Sequence, residues 1–478
     1  PLEPAAREAS PPQAEQALEP AAERVAHAPT PAPVAPEPAP EPQPEPQPPA
    51  PPVVPPPTSE PPQQSAEAVA PPPAAPPAES EPAVAPPSPE AAPETPVAVA
   101  AAEEPTLNRP LETHEDDALR RRLSSWTGRL AENAETMSWR DDGQQYRAVL
   151  RRLPASDVMG MDQLAVEVMT DRDGERLVTE LKMTRLAFSN FGQFINRWDP
   201  DVGLHEDVIE GRFHSNTAFT VHRQGRATPV FAGKVTVADG DINTEGPGYL
   251  NRRKLFPAGI EMRVRRIALP EKAGETAVAA SADRSQTLEH DASLTFHADG
   301  TASWRTDGAD AIVERRALGE EPFYFVAADG VTVTVQGTVN GKVLVYSPRS
   351  IVINDDLRYA ADPRTPQADD FLGLVAEGTV EIADPEVTGT GDLEIYASIY
   401  ARQRFVVRRF SSRSSGRLLI HGSLTAGTIS ATEPRYSTKI EFDNRLTKMR
   451  APGFPLSDRY ELDSSSGEWR VAPATAAR

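Results

Sequence analysis

The sequence predicts a mainly β protein: a right-handed parallel β-solenoid with a small α+β N-terminal subdomain, preceded by a long disordered Pro-rich arm. Three observations predict it. Proline is concentrated at one end, with about 36 of the 51 prolines before residue 111. Short β bursts, separated by Gly, Asn or Asp, crowd the region from Gly211 to Ile429. No helical crossovers separate those bursts, and most are not joined by two-residue hairpin turns. Dense strands without crossover helices suit one strand per face per coil, as in a parallel solenoid. A β-sandwich is the alternative architecture.

The arm covers residues 1–106. Before residue 111 there is no Phe, Trp, Tyr, Asp or Lys, and roughly 16 Glu stand against 3 Arg. Runs such as Pro40 to Pro57 (PEPQPEPQPPAPPVVPPP) deny the backbone its donors and fix φ. With so little apolar surface, burial does not offset chain entropy, and the expectation is an extended, disordered spacer. A low-complexity linker of unselected length is the plainer reading. Of the net charge of −21, about −13 belongs here, so the folded part is close to balanced. An acidic chain lacks the basic footprint of a general nucleic-acid binder, and no specific nucleic-acid partner is expected. Cysteine is absent, which excludes disulfides, thiolate metal sites and a Cys nucleophile. No run of 18 apolar residues is present. Membrane attachment is therefore expected only through a signal or anchor upstream of Pro1.

Residues 107–200 read as the α+β subdomain. Leu107 to Trp139 carries a helical stripe of Leu119, Leu123, Trp126, Leu130 and Ala134, with Thr113 as N-cap and Glu115, Asp116 and Asp117 in the first turn. The stripe is a docking face against the β domain or, alternatively, a partner-binding face. Alternation at Tyr146/Ala148/Leu150, Leu164/Val166/Val168 and Leu177/Thr179/Leu181/Met183 predicts strands, with a hairpin turn at Asp173-Gly174. Phe188, Phe191, Phe194, Ile195 and Trp198 fit a short helix with one aromatic face, read as core.

Residues 201–430 read as the solenoid. They hold an inserted loop and hairpin at about 271–318, where Asp299-Gly300 marks the hairpin turn. Residues 431–478, with Pro452-Gly453-Phe454-Pro455, read as a tail that folds back to cap the open solenoid end, because solenoid ends need covering.

Gly211 to Asn216 (GRFHSN) and Pro229 to Thr236 (PVFAGKVT) resemble a group of bacterial cell-envelope β-helix proteins associated with type IV pilus minor pilins. In that group a G-x-x-H-[ST]-N turn opens the solenoid and a P-x-F-x-G-x-V-T strand follows. Val335 to Asn354 and Leu357 to Ala360 resemble the next coils and are also similar to bactofilin-type polymer-forming β-helices. The resemblance spans about residues 185–430. It implies a β-helix, a periplasmic or surface-exposed place in a bacterial envelope, and a structural or assembly role with protein partners. It supplies no catalytic residue. The long arm, and the lack of a prepilin-type apolar N-terminal helix in this sequence, depart from the group.

His214 and Ser215, with His205, Asp207 or Asp239 as helpers, suggest a nucleophile. However, adjacent strand side chains face opposite ways and no G-x-S-x-G elbow exists. His214, Ser215 and Asn216 are read instead as a structural turn motif. His205, Glu206, Asp207 and His214 match no usual metal-loop spacing. Asp355, Asp356, Asp369, Asp370, Asp384 and Glu386 are candidate carboxylates for glycan cleavage, though they also read as ordinary corners. The expectation is no catalytic residue, no metal and no cofactor. Arg402, Arg404, Arg408, Arg409, Arg413 and Arg417, interleaved with Tyr400, Phe405 and Phe410, form a basic stripe suited to wall glycan, another polyanion or an acidic partner. A solvated strand face paired with nearby Asp and Glu is the competing reading. Together these give a non-enzymatic structural or assembly protein first, a polyanion-binding module second, and a polysaccharide-active β-helix enzyme third.

Overall fold

The computed structural model describes residues 109–110, 113–127, 136–141, 143–172, 174–223, 228–246, 251–280, 282–306, 313–412, 416–463 and 468–472. The chain divides into two units, Pro1–Pro96 and Val97–Arg478. The arm expected over 1–106 lies outside the described residues. The second unit is mainly β, with one helix longer than four residues among those described.

Four strands, Thr136–Asp141, Gln144–Leu153, Gln163–Arg172 and Glu175–Ala187, pair antiparallel in sequence order. Their alternation turns Ala148, Leu164, Val166, Val168, Leu181 and Met183 to one face. Gly174 takes φ +86°, the left-handed conformation that a tight hairpin turn needs. The helix Thr113–Thr127 lays Leu119 and Leu123 on that face, each such burial contributing about 1.5–3 kcal/mol. Glu115 in its first turn meets Arg172 at 2.9 Å.

The helix expected over Leu107 to Trp139 does not extend to Trp139, and Leu130 and Ala134 of its stripe lie outside the described residues. Trp139 belongs to the strand Thr136–Asp141, where it stacks on its cross-strand partner Tyr146 at 5.2 Å. The gain of a cross-strand aromatic pair outweighs a helical continuation. The tail also differs from expectation. Tyr436–Phe442 is a coil strand, while Leu456–Leu462 and Glu468–Val471 pair antiparallel with Glu175–Ala187. Trp469, 1% exposed, completes the core beneath the helix. The described strands of the tail thus finish the N-terminal sheet.

The larger part is a stack of parallel coils. On one face ten strands follow in register: Ser285–Leu288, Phe323–Ala327, Lys342–Ser347, Phe371–Ala376, the middles of Leu393–Val407 and Gly416–Ile429, Phe191–Ile195, Arg212–Ser215, Val235–Val237 and Ile260–Met262. This order is not the chain order. The later half, 285–442, comes first, and the earlier half, 191–262, is stacked on its last coil. Leu424 therefore pairs with Gln193, and Ile440 with Ile209. On a second face, Val333, Ile351, Val380, Phe405 and Ile429 form one inward column. On a third, Leu357, Ile395, Ile420, Ile440, Ile209 and Phe231 form another. These columns meet in one continuous apolar core.

The permuted order obliges residues 263–284 to travel back along the stack. Val264 donates to Val237 O at 3.1 Å, Ala273 N–H to Glu377 Oε1 at 2.6 Å, and Arg284 O accepts from Tyr324 N–H at 2.9 Å. Beneath this strap, Ile267, Ala273 and Ala277 join Phe194, Tyr324, Tyr346, Val375 and Tyr400 in a second core.

The expected aromatic helix at 188–198 is a 3-10 turn, Phe188–Asn190, running into the strand Phe191–Ile195. The helical spacing has a different cause. A register shift between Phe191 and Gln193 puts Phe191 and Phe194, three apart, on the same outer face. Gly192 sits at the bulge, where an added Cβ would lie 1.9 Å from Glu210 O. The region 271–318 is likewise only partly an insertion. Ser285–Leu288 and Ala292–His297 are coil strands, parallel to Phe323–Ala327 and Thr332–Val339. Thr301–Thr306 and Val313–Ala317 then add antiparallel to the end of the second face. The covering of a stack end comes from this hairpin, whose last strand carries Glu314, Arg315 and Arg316. Charges on an edge strand oppose further pairing.

Candidate functional site

The His214-Ser215-Asn216 motif lies where the strap crosses the stack. All three residues are buried. On Arg212–Ser215, Phe213 faces the inner core, so His214 faces outward beneath the strap. Its Nδ1 is 2.8 Å from Thr236 Oγ1 and its Nε2 is 2.8 Å from Asn216 Oδ1. Asn216 Oδ1 also accepts Ile267 N–H at 3.0 Å, while its Nδ2 donates to Ile267 O at 2.7 Å and Asn196 Oδ1 at 2.9 Å. Ser215 Oγ donates to Thr217 O at 2.6 Å, away from the imidazole. His214 stacks on Phe194 at 5.1 Å, and burial pushes its pKa down to about 4. A neutral imidazole with both nitrogens occupied has no free nitrogen to activate a hydroxyl.

The arginines of the stripe do not share one face: Arg404 lies on the second face and Arg417 on the third, and acids stand beside each described member. Arg402 faces Glu377 at 3.7 Å, Arg404 meets Asp199 at 2.7 Å, and Arg408 meets Glu381 at 2.6 Å. Arg409 contacts Asp384 at 3.3 Å and Glu386 at 2.5 Å, and Arg417 faces Asp392 at 3.6 Å. Arg413 lies outside the described residues. Five guanidinium groups thus stand among six carboxylates, so among the described residues each arginine of the stripe has an acidic neighbour. Such exposed pairs contribute about 0–1 kcal/mol each.

The candidate glycan-cleaving carboxylates are dispersed in structural bonds. Asp356 accepts Glu394 N–H at 2.8 Å, Asp370 accepts Gly341 and Ala361 N–H groups, and Asp369 pairs with Lys342 at 3.1 Å. Asp384 and Glu386 share Arg409. Asp355 caps the next backbone N–H. His205 lies 3.6 Å from Glu433 and donates its backbone N–H to Asp207, whereas His214 is occupied at the strap. Among the described residues no group of three or more His, Cys, Asp or Glu is arranged for a metal ion.

Two features escaped the sequence reading. Arg435 is fully buried, donating Nη1 to Ala383 O at 2.8 Å and Arg408 O at 2.5 Å, and Nη2 to Thr388 Oγ1 at 2.5 Å. Its guanidinium lies 4.9 Å from the Tyr436 ring centre. Only the neighbouring Tyr436 could have hinted at a stacked arginine. Second, Gln193 points into the inner column between the apolar Leu424 and Phe213. The aromatic helix expected there hid its strand register.

No family model matches the chain, and no curated protein matches it. Among solved structures it is similar to the competence-associated pilin ComZ from Thermus thermophilus, at 12% identity over 75% of this chain and 95% of that one, with a TM-score of 0.29. At that score the likeness carries no argument.

Proposed function

We propose that the chain is a non-enzymatic structural and assembly component of a bacterial cell envelope, periplasmic or surface-exposed. In this reading the coil stack is a right-handed β-solenoid and its partners are envelope proteins, with a pilus-associated or minor-pilin-like role. The observation that carries it is the Asn216–Ile267 clamp. The His-Ser-Asn motif, the most chemically suggestive run in the sequence, is spent on holding the strap to the coils. Residues that resemble an envelope β-helix group therefore do architectural work here. Polyanion binding has less support, because carboxylates face each described arginine of the stripe. Deleting the gene in the parent bacterium tests the reading. Loss of assembled surface pili, with no polysaccharide depolymerised by the purified protein, supports it. Intact pili, or depolymerisation, overturns it.

A further inference from the structure

The junction between the two halves of the stack is chemically unlike the rest of the core. Leu374, Ile399, Leu424, Phe213 and Val235 are inward and apolar, yet the same column carries Gln193 at the junction. Gln193 is 3% exposed and its Oε1 has no hydrogen-bond partner. Beside it is a cavity of about 60 Å³, also lined by Asp207, Ser430, Thr432 and Glu433, with room for water. Asp207 comes from the earlier half, and Ser430, Thr432 and Glu433 from the later one. An ionised Asp207 and the Gln193 amide oxygen would both present acceptors to one small space.

We propose that this junction is a proton-sensitive joint: protonated Asp207 donates a hydrogen bond into the cavity and tightens the two halves, and ionised Asp207 loosens them. The proton comes from solvent and returns to it. Burial is the main cause that raises the Asp207 pKa, to about 6. The charged groups facing it are few. From the later half, Glu433 raises its pKa; from its own segment, His205 lowers it and donates a backbone N–H at 2.9 Å. Lys439, opposite the adjacent Val208, is engaged with Glu441 and Glu210. A group with a folded pKa above its unfolded value stabilises fully below the unfolded pKa, and that stabilisation is lost as pH rises through the folded one. The sensitive window therefore runs from about pH 4 to pH 6.

Hydrogen exchange at the amides of Asn196, Arg197 and Glu210, which bond Ala426 O, Gly427 O and Ile440 O across the junction, reads its opening. After correction for intrinsic rates, protection should fall about tenfold between pH 5 and pH 7.5 in the whole protein. Asp207→Asn keeps a donor at every pH and should abolish the dependence. Glu433→Gln should keep it, with a lower midpoint, and serves as the reporter if Asp207→Asn does not fold. Protection independent of pH in the unsubstituted protein, retention of the dependence in Asp207→Asn, or its abolition in Glu433→Gln overturns the proposal.

Discussion

Asn216 grips the Ile267 peptide from both sides, accepting its N–H at 3.0 Å and donating to its carbonyl at 2.7 Å. One side chain thereby substitutes for a strand neighbour and fixes a segment 51 residues later in the chain. Replacing it with Ala leaves two backbone groups and His214 Nε2 without partners. The expected cost is about 2–4 kcal/mol, from an unsatisfied buried group costing about 1–3 kcal/mol. Urea unfolding measures it, and limited proteolysis should show cleavage within 263–284 at lower protease concentration than in the unsubstituted protein.

His214 makes stability sensitive to acid. Its folded pKa of about 4 lies below the ordinary 6.5, so the unfolded chain binds the extra proton first. Its contribution is complete above about pH 6.5 and is lost as pH falls toward 4, about 3 kcal/mol in all. Asp207 acts in the opposite sense over nearly the same window. Global stability should consequently change little between pH 6.5 and 4. His214→Gln should make stability fall as pH rises, and Asp207→Asn should make it rise. Denaturant midpoints at a series of pH values check both.

Arg435 ties three successive corners through Ala383, Arg408 and Thr388. Arg435→Met should destabilise by about 2–5 kcal/mol, because buried carbonyls lose a charged donor. Arg435→Lys keeps the charge but not the planar fork, and should recover part of the loss. Thermal unfolding of the three proteins ranks them.

The stripe formed by Arg402, Arg404, Arg408 and Arg409 should contribute little affinity for polyanions. Substituting all four with Ser should leave heparin retention nearly unchanged. The double variant Asp199→Asn/Glu381→Gln, which frees Arg404 and Arg408, should be retained to higher salt.

What could be read in the sequence was local. Alternation at Leu164/Val166/Val168 and Leu177/Thr179/Leu181/Met183 matches strands of the antiparallel sheet, and Asp299-Gly300 marks the turn of a real hairpin. What could not be read was order in space. Nothing local in Phe191–Ile195 says that it follows the strand holding Leu424, because that pairing joins residues more than 200 apart. The same holds for the C-terminal strands, which complete a sheet begun near residue 136. Aromatic spacing misled at Phe188–Trp198 because a bulge imitates helical periodicity. At the candidate site, the arginines were visible, but their acidic neighbours come from other coils and from Asp199, which only the stacking brings close.

The central claim is the permuted stacking, and paired cysteines test it directly, since the chain has none of its own. Val208 and Lys439 are register partners across the junction, and adjacent strands lie about 4.8 Å apart, within the span of a disulfide. Glu261 and Thr287 face outward on strands at opposite ends of the ten-strand face, although a stack built in chain order would make those strands neighbours. Under mild oxidation, Val208→Cys/Lys439→Cys should close an intramolecular disulfide detected by peptide mass, and Glu261→Cys/Thr287→Cys should not. Closure of the second pair with failure of the first would contradict the account.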